Sequence, residues 1–267
     1  MAHADLPVFE SRFAQTTRRD AWWVQPLAVF LVLFSFILYA TWAALQNAHY
    51  TYGPYLSPLY SPELFGDSTH ALFGPWPWWW PPWLPFSPAL LILWAPGGFR
   101  FTCYYYRGAY YKAFWADPPA CTVGEPRKHY RGEQSFPLIL QNIHRYFLLL
   151  AVIVLGFLFA DVYKSFWWIN QNTGAVEFGM GLGTLVLGAN LIMLTGYTFG
   201  CHSMRHVVGG MVDRISGSSL RKTAYDCSSC LNRRHMIWAW ASLFTVAFSD
   251  LYVRMCSMGV WSDWRIF

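Results

Sequence analysis

The sequence predicts an all-α membrane protein, a bundle of five transmembrane helices with the N-terminus in the cytoplasm and the C-terminus outside. Three observations carry that prediction. Of the 267 residues, 12% are charged and 55% hydrophobic, against about 25% charged in a soluble domain. Five segments hold the roughly 20 largely apolar residues that a helix needs to cross a bilayer. Lys and Arg also gather in alternate loops, the pattern that sets membrane orientation.

Residues 21–45 form the clearest span, free of any charge. The second covers 88–115, with a kink expected at Pro96-Gly97-Gly98 and with Arg100 and Arg107 inside it. The third covers 137–168 and is uncharged from Tyr146 to Ala160. The fourth, 178–204, carries Gly179, Gly181, Gly183, Gly188, Gly196 and Gly200, small residues that suit close helix contact. The fifth, 236–256, is interrupted only by Asp250 and Arg254. Between the first two spans, Pro75-Trp-Pro-Trp-Trp-Trp-Pro-Pro-Trp83 is barred from regular helix by its prolines, and its tryptophans suit the outer headgroup layer. No internal repeat appears, and one domain over 1–267 is the economical division.

Orientation follows from thirteen Lys and Arg in the N-terminal segment and the loops on its side, against three on the other side. Residues 1–20 hold Asp5, Glu10, Arg12, Arg18 and Arg19 and no apolar core with a cleavage site, so the N-terminus is expected to stay in the cytoplasm. The net charge of +5 sits beside apolar runs, which excludes a nucleic-acid role in favour of membrane orientation. At least four of the six cysteines fall on the cytoplasmic side, where reduced thiols or metal ligands are expected rather than disulfides.

Two segments share the pattern Cys-x-x-x-Arg-His: Cys201 to His206 and Cys230 to His235. Five helical residues turn through about 500°, so the Cys and His of one segment diverge by roughly 140°, which suits a binuclear centre better than one ion. A Rieske centre takes two Cys on one iron and two His on the other. Packing cysteines are the plain alternative. A second ligand set competes: His202 and His206 lie at i, i+4 on one face, and Cys227-Ser-Ser-Cys230 is a CxxC half-site. Spacing leaves both sets open, with structural zinc in a membrane scaffold or transporter as another outcome. In Arg100-Phe-Thr-Cys-Tyr-Tyr-Tyr-Arg107-Gly-Ala-Tyr-Tyr111-Lys112, aromatic walls and donors suit a quinone, with Arg107, Tyr111 and His144 as candidate contacts. The polar, basic segment 117–133 offers a docking surface.

The Arg100–Tyr111 segment, Asp117-Pro-Pro-Ala-Cys121, Gln141-Asn-Ile-His144-Arg-Tyr and Gly200-Cys-His-Ser-Met-Arg-His together resemble the membrane-anchor C subunit of succinate dehydrogenase, respiratory complex II, of the haem-lacking type. The resemblance implies a bacterial cell membrane, a flavoprotein subunit and an iron–sulfur subunit docked on the cytoplasmic side, and electron delivery to membrane quinone. It further implies a Rieske-like [2Fe-2S] cluster, here assigned to Cys201, His206, Cys230 and His235 with His202 and Cys227 in reserve. Anchors of the dihaem type carry haem histidines on spans one and two. This chain has none there, so haem b, on His144, His202, His206 or His235, is the alternative cofactor.

Overall fold

A computed structural model describes residues 12–75, 77–83, 86–126, 136, 138–170 and 173–267. The N-terminal 1–11 and the basic stretch 127–133 of the expected docking segment lie outside the described residues. Four described helices are long and apolar enough to cross a membrane: α1 (Val24–Gln46), α5 (His144–Lys164), α6 (Leu182–Phe199) and α9 (His235–Ser257). They match the first, third, fourth and fifth expected spans, and the protein is a multi-pass membrane protein.

The second expected span is corrected. In place of one helix over 88–115 the chain makes three, α2 (Pro88–Ile92), α3 (Trp94–Thr102) and α4 (Tyr104–Trp115). No break falls at Pro96-Gly97-Gly98. Pro96 sits in the first turn of α3, where a backbone N–H has no partner within the helix and its loss costs nothing. The breaks fall at Leu93 and Cys103 instead. A second departure lies beyond α6: the chain breaks at Gly200-Cys201 and continues as α7 (His202–Gly209). The expected basic loop then holds another helix, α8 (Ser219–Asn232), capped by the Ser218 hydroxyl, which accepts from Arg221 N.

Close packing follows the small residues. α6 lies along α9, α5 against α3 and α6, and α1 against α4. A Cβ at Gly196 would stand 2.5 Å from the Trp238 ring, and one at Gly183 would stand 2.3 Å from Tyr55, so these two glycines set how near their helices approach. Gly188 has nothing within 4 Å, and its small size serves no such contact. Two antiparallel pairs, β1 (Thr51–Tyr52) with β2 (Tyr55–Leu56) and β3 (Trp167–Ile169) with β4 (Val176–Phe178), cap one end of the bundle. Trp78 and Trp83 of the tryptophan-rich loop are exposed.

At that capped end the loop after α1 folds into the bundle. Tyr60 donates to Ala43 O at 2.7 Å and stacks on Tyr50 with ring centroids 4.2 Å apart. Beneath it Asp250, fully buried, accepts from Tyr39 and Ser57 and pairs with Arg254 at 3.3 Å. Arg254 donates onward to Ala48 O at 2.7 Å. The two charges expected to interrupt the fifth span are therefore each other's partners.

Candidate metal centre

At the opposite end, four side chains converge where helices begin. Thr102 closes α3, and Cys103 follows in extended conformation (φ −64°, ψ 130°) before α4 starts. Cys201 does the same between α6 and α7 (φ −67°, ψ 143°). His144 opens α5 after a 3-10 turn, and His235 opens α9. The sequence separations are large, yet His144 Nε2 lies 3.0 Å from Cys201 Sγ and His235 Nε2 lies 3.5 Å from Cys103 Sγ. Each residue sits at a helix N-terminus, where unpaired N–H groups and the positive dipole end favour negative charge.

The two imidazoles are held by different contacts. Thr102 Oγ1 donates its proton to Gly98 O at 2.7 Å, so it accepts from His144 Nδ1–H at 2.7 Å. His144 Nε2 is then left with a lone pair directed at Cys201. One ring nitrogen anchored and the other bare is the arrangement of a metal-bound histidine. His144 stacks on Phe99 (4.8 Å, 6°) and His235 on Tyr197 (5.0 Å, 17°), while Phe99 and Tyr197 meet edge to face at 5.3 Å. Both rings thus rest on one aromatic wall. His235 Nδ1 is buried and makes no hydrogen bond, an unmet group of the kind that marks a site rather than a packed core.

Among the described residues, no three of His, Cys, Asp and Glu converge as a single metal ion would require. The donors meet as two Cys–His contacts instead, and the two sulfurs and two imidazoles together equal in kind and number the ligands of a mixed-ligand [2Fe-2S] group. Cys103, His144, Cys201 and His235 therefore fit that group in chemistry and number. They line a cavity of about 820 Å³ together with Arg107 and Gln141.

Of the ligands expected from the paired motif, the structure brings Cys201 and His235 into this cluster, places His206 and the reserve His202 on the wall of the same cavity, and leaves Cys230 exposed on α8. The two motifs are not equivalent in three dimensions. In the first, the helix break precedes the pair, so Cys201 faces inward and His206 rides the exposed side of α7. In the second, the break falls inside the pair, so Cys230 stays on the exposed side of α8 while His235 starts α9. The reserve residues behave likewise. His202 and His206 meet Nε2 to Nε2 at 2.9 Å on the surface of α7, and Cys227 is exposed on α8. Partial burial, then His206 and Arg205, holds His202 below its ordinary pKa.

The expected quinone contacts also rearrange. His144 donates through Nδ1 to Thr102 and turns Nε2 to Cys201, while it lines the same cavity as Arg107 and Gln141. Arg107 and Tyr111 remain together because both donate to Gln141 Oε1, Arg107 at 3.2 Å. Gln141, almost fully buried, donates in turn to Tyr110 at 2.6 Å. Cys103, Thr102 and Gln141 are the residues that motif spacing missed. Their only sequence signal is position, since all three stand at the membrane depth of His144 and Cys201.

Residues 24–259 match the family model of the actinobacterial succinate dehydrogenase subunit SdhC. The chain is similar in structure to a chain of the Mycobacterium smegmatis Sdh1 complex in the apo form. The TM-score is 0.85 and the identity 40%, over 99% of this chain and 96% of that one. No curated protein matches.

Proposed function

The chain belongs to the actinobacterial succinate dehydrogenase SdhC family, and from that premise we propose how it carries electrons to quinone. It is a membrane anchor of a succinate dehydrogenase complex and does not itself oxidise succinate. In our reading it sits in the bacterial cytoplasmic membrane with the Cys103 end of the bundle facing the cytoplasm, where an iron–sulfur subunit bearing a flavoprotein docks. A Rieske-like [2Fe-2S] cluster is held there by Cys103, His144, Cys201 and His235. When bound, that group supplies one-electron transfer. The observation that supports the reading most is the convergence of two Cys–His pairs, with the His144 tautomer set by Thr102.

The chain's own residues serve the quinone half of the reaction. Reduction of a quinone consumes two electrons and two protons, so negative charge develops on its oxygens. Arg107 offers a guanidinium whose positive charge and N–H donors stabilise that charge. Tyr111 donates to the same Gln141 oxygen as Arg107, and so holds the amide that positions the guanidinium. The Gln141–Tyr110 contact at 2.6 Å continues the chain of hydrogen bonds inward.

Low-temperature EPR of the reduced complex tests this reading, with iron and zinc analysis alongside. The intact complex is expected to show a mixed Cys/His [2Fe-2S] signal and two irons beyond those of the soluble subunits. Cys103→Ser is expected to abolish the signal while succinate oxidation with a soluble dye persists, and Cys230→Ser to keep it. A haem α-band after dithionite, zinc in place of iron, or a signal lost in Cys230→Ser but kept in Cys103→Ser overturns the assignment.

A further inference from the structure

A half-buried cation beside the candidate centre has no carboxylate partner among the described residues. Arg100 lies inside the bundle on α3 and donates to three neutral acceptors: Tyr106 Oη at 2.7 Å, Ser242 Oγ at 3.0 Å and Ala239 O at 3.2 Å. Its guanidinium stands 4.8 Å from the centroid of the Tyr197 ring, the same ring on which His235 stacks at 5.0 Å. Among the described residues no carboxylate lies within 4.0 Å of it. Arg254, the other deeply placed arginine, is paired with Asp250. A charge at membrane depth is costly and is normally paired or functional. Neutral oxygens solvate Arg100 but leave its positive charge unbalanced.

We propose that Arg100 is the standing counter-cation of the reduced cluster, a positioning residue that raises the reduction potential of the centre through the Tyr197–His235 stack. The inference rests on the [2Fe-2S] reading of the site. Two ferric irons, two sulfides, two thiolates and two neutral imidazoles sum to zero charge, and one electron from the docked iron–sulfur subunit takes the sum to −1. That electron supplies the negative charge that Arg100 lacks. In a low-dielectric interior the attraction is only weakly screened, so the reduced state gains stability relative to the oxidised one. Arg107, which donates to Gln141, and Arg145 stand on the cavity side, so Arg100 approaches the centre from a different direction than these two.

The test is an EPR-monitored redox titration of the assembled complex. Arg100→Gln is expected to shift the reduction equilibrium at least tenfold towards the oxidised form, a fall of 59 mV for one electron, with g-values and iron content unchanged. Arg100→Lys keeps the charge and is expected to stay close to the parent potential. Ser242→Asp places a carboxylate beside the guanidinium, neutralises it in place, and is expected to lower the potential in the same sense even if Arg100→Gln fails to assemble. A loaded Arg100→Gln or Ser242→Asp complex with an unshifted midpoint overturns the proposal. Absence of any mixed-ligand signal in the parent complex overturns the cluster reading itself, and is distinguishable because no midpoint then exists to compare.

Discussion

The two ends of the bundle both bury polar groups in what is otherwise apolar packing, and they do so in opposite ways. At the Asp250 end, the carboxylate takes hydroxyls from Tyr39 and Ser57 and the guanidinium of Arg254, which itself reaches backbone oxygens. No buried polar atom of that pair lacks a partner. At the Cys103 end, thiols face imidazoles, His235 Nδ1 goes without a partner and an unneutralised arginine stands one ring away. Satisfaction separates the Asp250–Arg254 network from the Cys103 cluster, although buried atoms of His70, Ser87 and Trp168 at the capped end also go without a partner. The complete network fixes a loop to its helices, and the incomplete cluster of thiols and imidazoles is what the proposed group would complete.

The contrast can be broken most forcefully at Asp250. Replacing it by Ala strands Arg254 in the interior, and loss of one partner of a buried pair costs about 3–5 kcal/mol. The expected outcome is a collapse in the yield and thermal stability of the purified complex, while any fraction that does assemble retains its iron. Thr102→Val probes the other end. It removes the anchor of His144 Nδ1, and losing such a partner weakens metal affinity by about 10–100-fold, measurable as faster iron loss to a chelator at nearly unchanged thermal stability. Tyr60→Phe deletes one hydrogen bond to Ala43 O and is expected to cost about 1 kcal/mol, read as a small drop in melting temperature with the EPR spectrum intact. The smallest effect is expected from His206→Ala with Cys230→Ser. Exposed substitutions away from packed features change stability by within about 0.5 kcal/mol, and iron content should not move.

The unbroken spans are legible because a long apolar run has one physical outlet, and α1, α5, α6 and α9 follow those runs to within a few residues, apart from short caps. The candidate site is legible only in part. Gly200 flags the break before Cys201, since glycine commonly closes a helix. The break at Cys103 carries no such mark: Thr102 and Tyr104 on either side are neither glycine nor proline, and the segment reads as continuous helix. It is opened by one local contact, the Thr102 hydroxyl turned back to Gly98 O a turn earlier in α3, and by one tertiary contact, Tyr106 drawn to Ala239 O at 2.7 Å. Once that break is unseen, Cys103 counts as one more packing residue. The paired Cys-x-x-x-Arg-His motif then captures attention although half of each copy faces outward. α8 is missed for the opposite reason, because its apolar residues are too sparse to reveal a helix that lies on the surface.

The order of the four inward donors along the chain, at positions 103, 144, 201 and 235, has a consequence for biogenesis. They come from four separate helix junctions, and the last opens the final long helix, α9. During synthesis no nascent chain short of α9 can present the complete set, however well its earlier helices have inserted. Delivery of the proposed cluster would therefore follow insertion of the whole chain, and retained iron would report on finished topology. An anchor truncated before α9, or one with α9 misoriented, would remain empty and open to disposal before it could recruit its soluble partners.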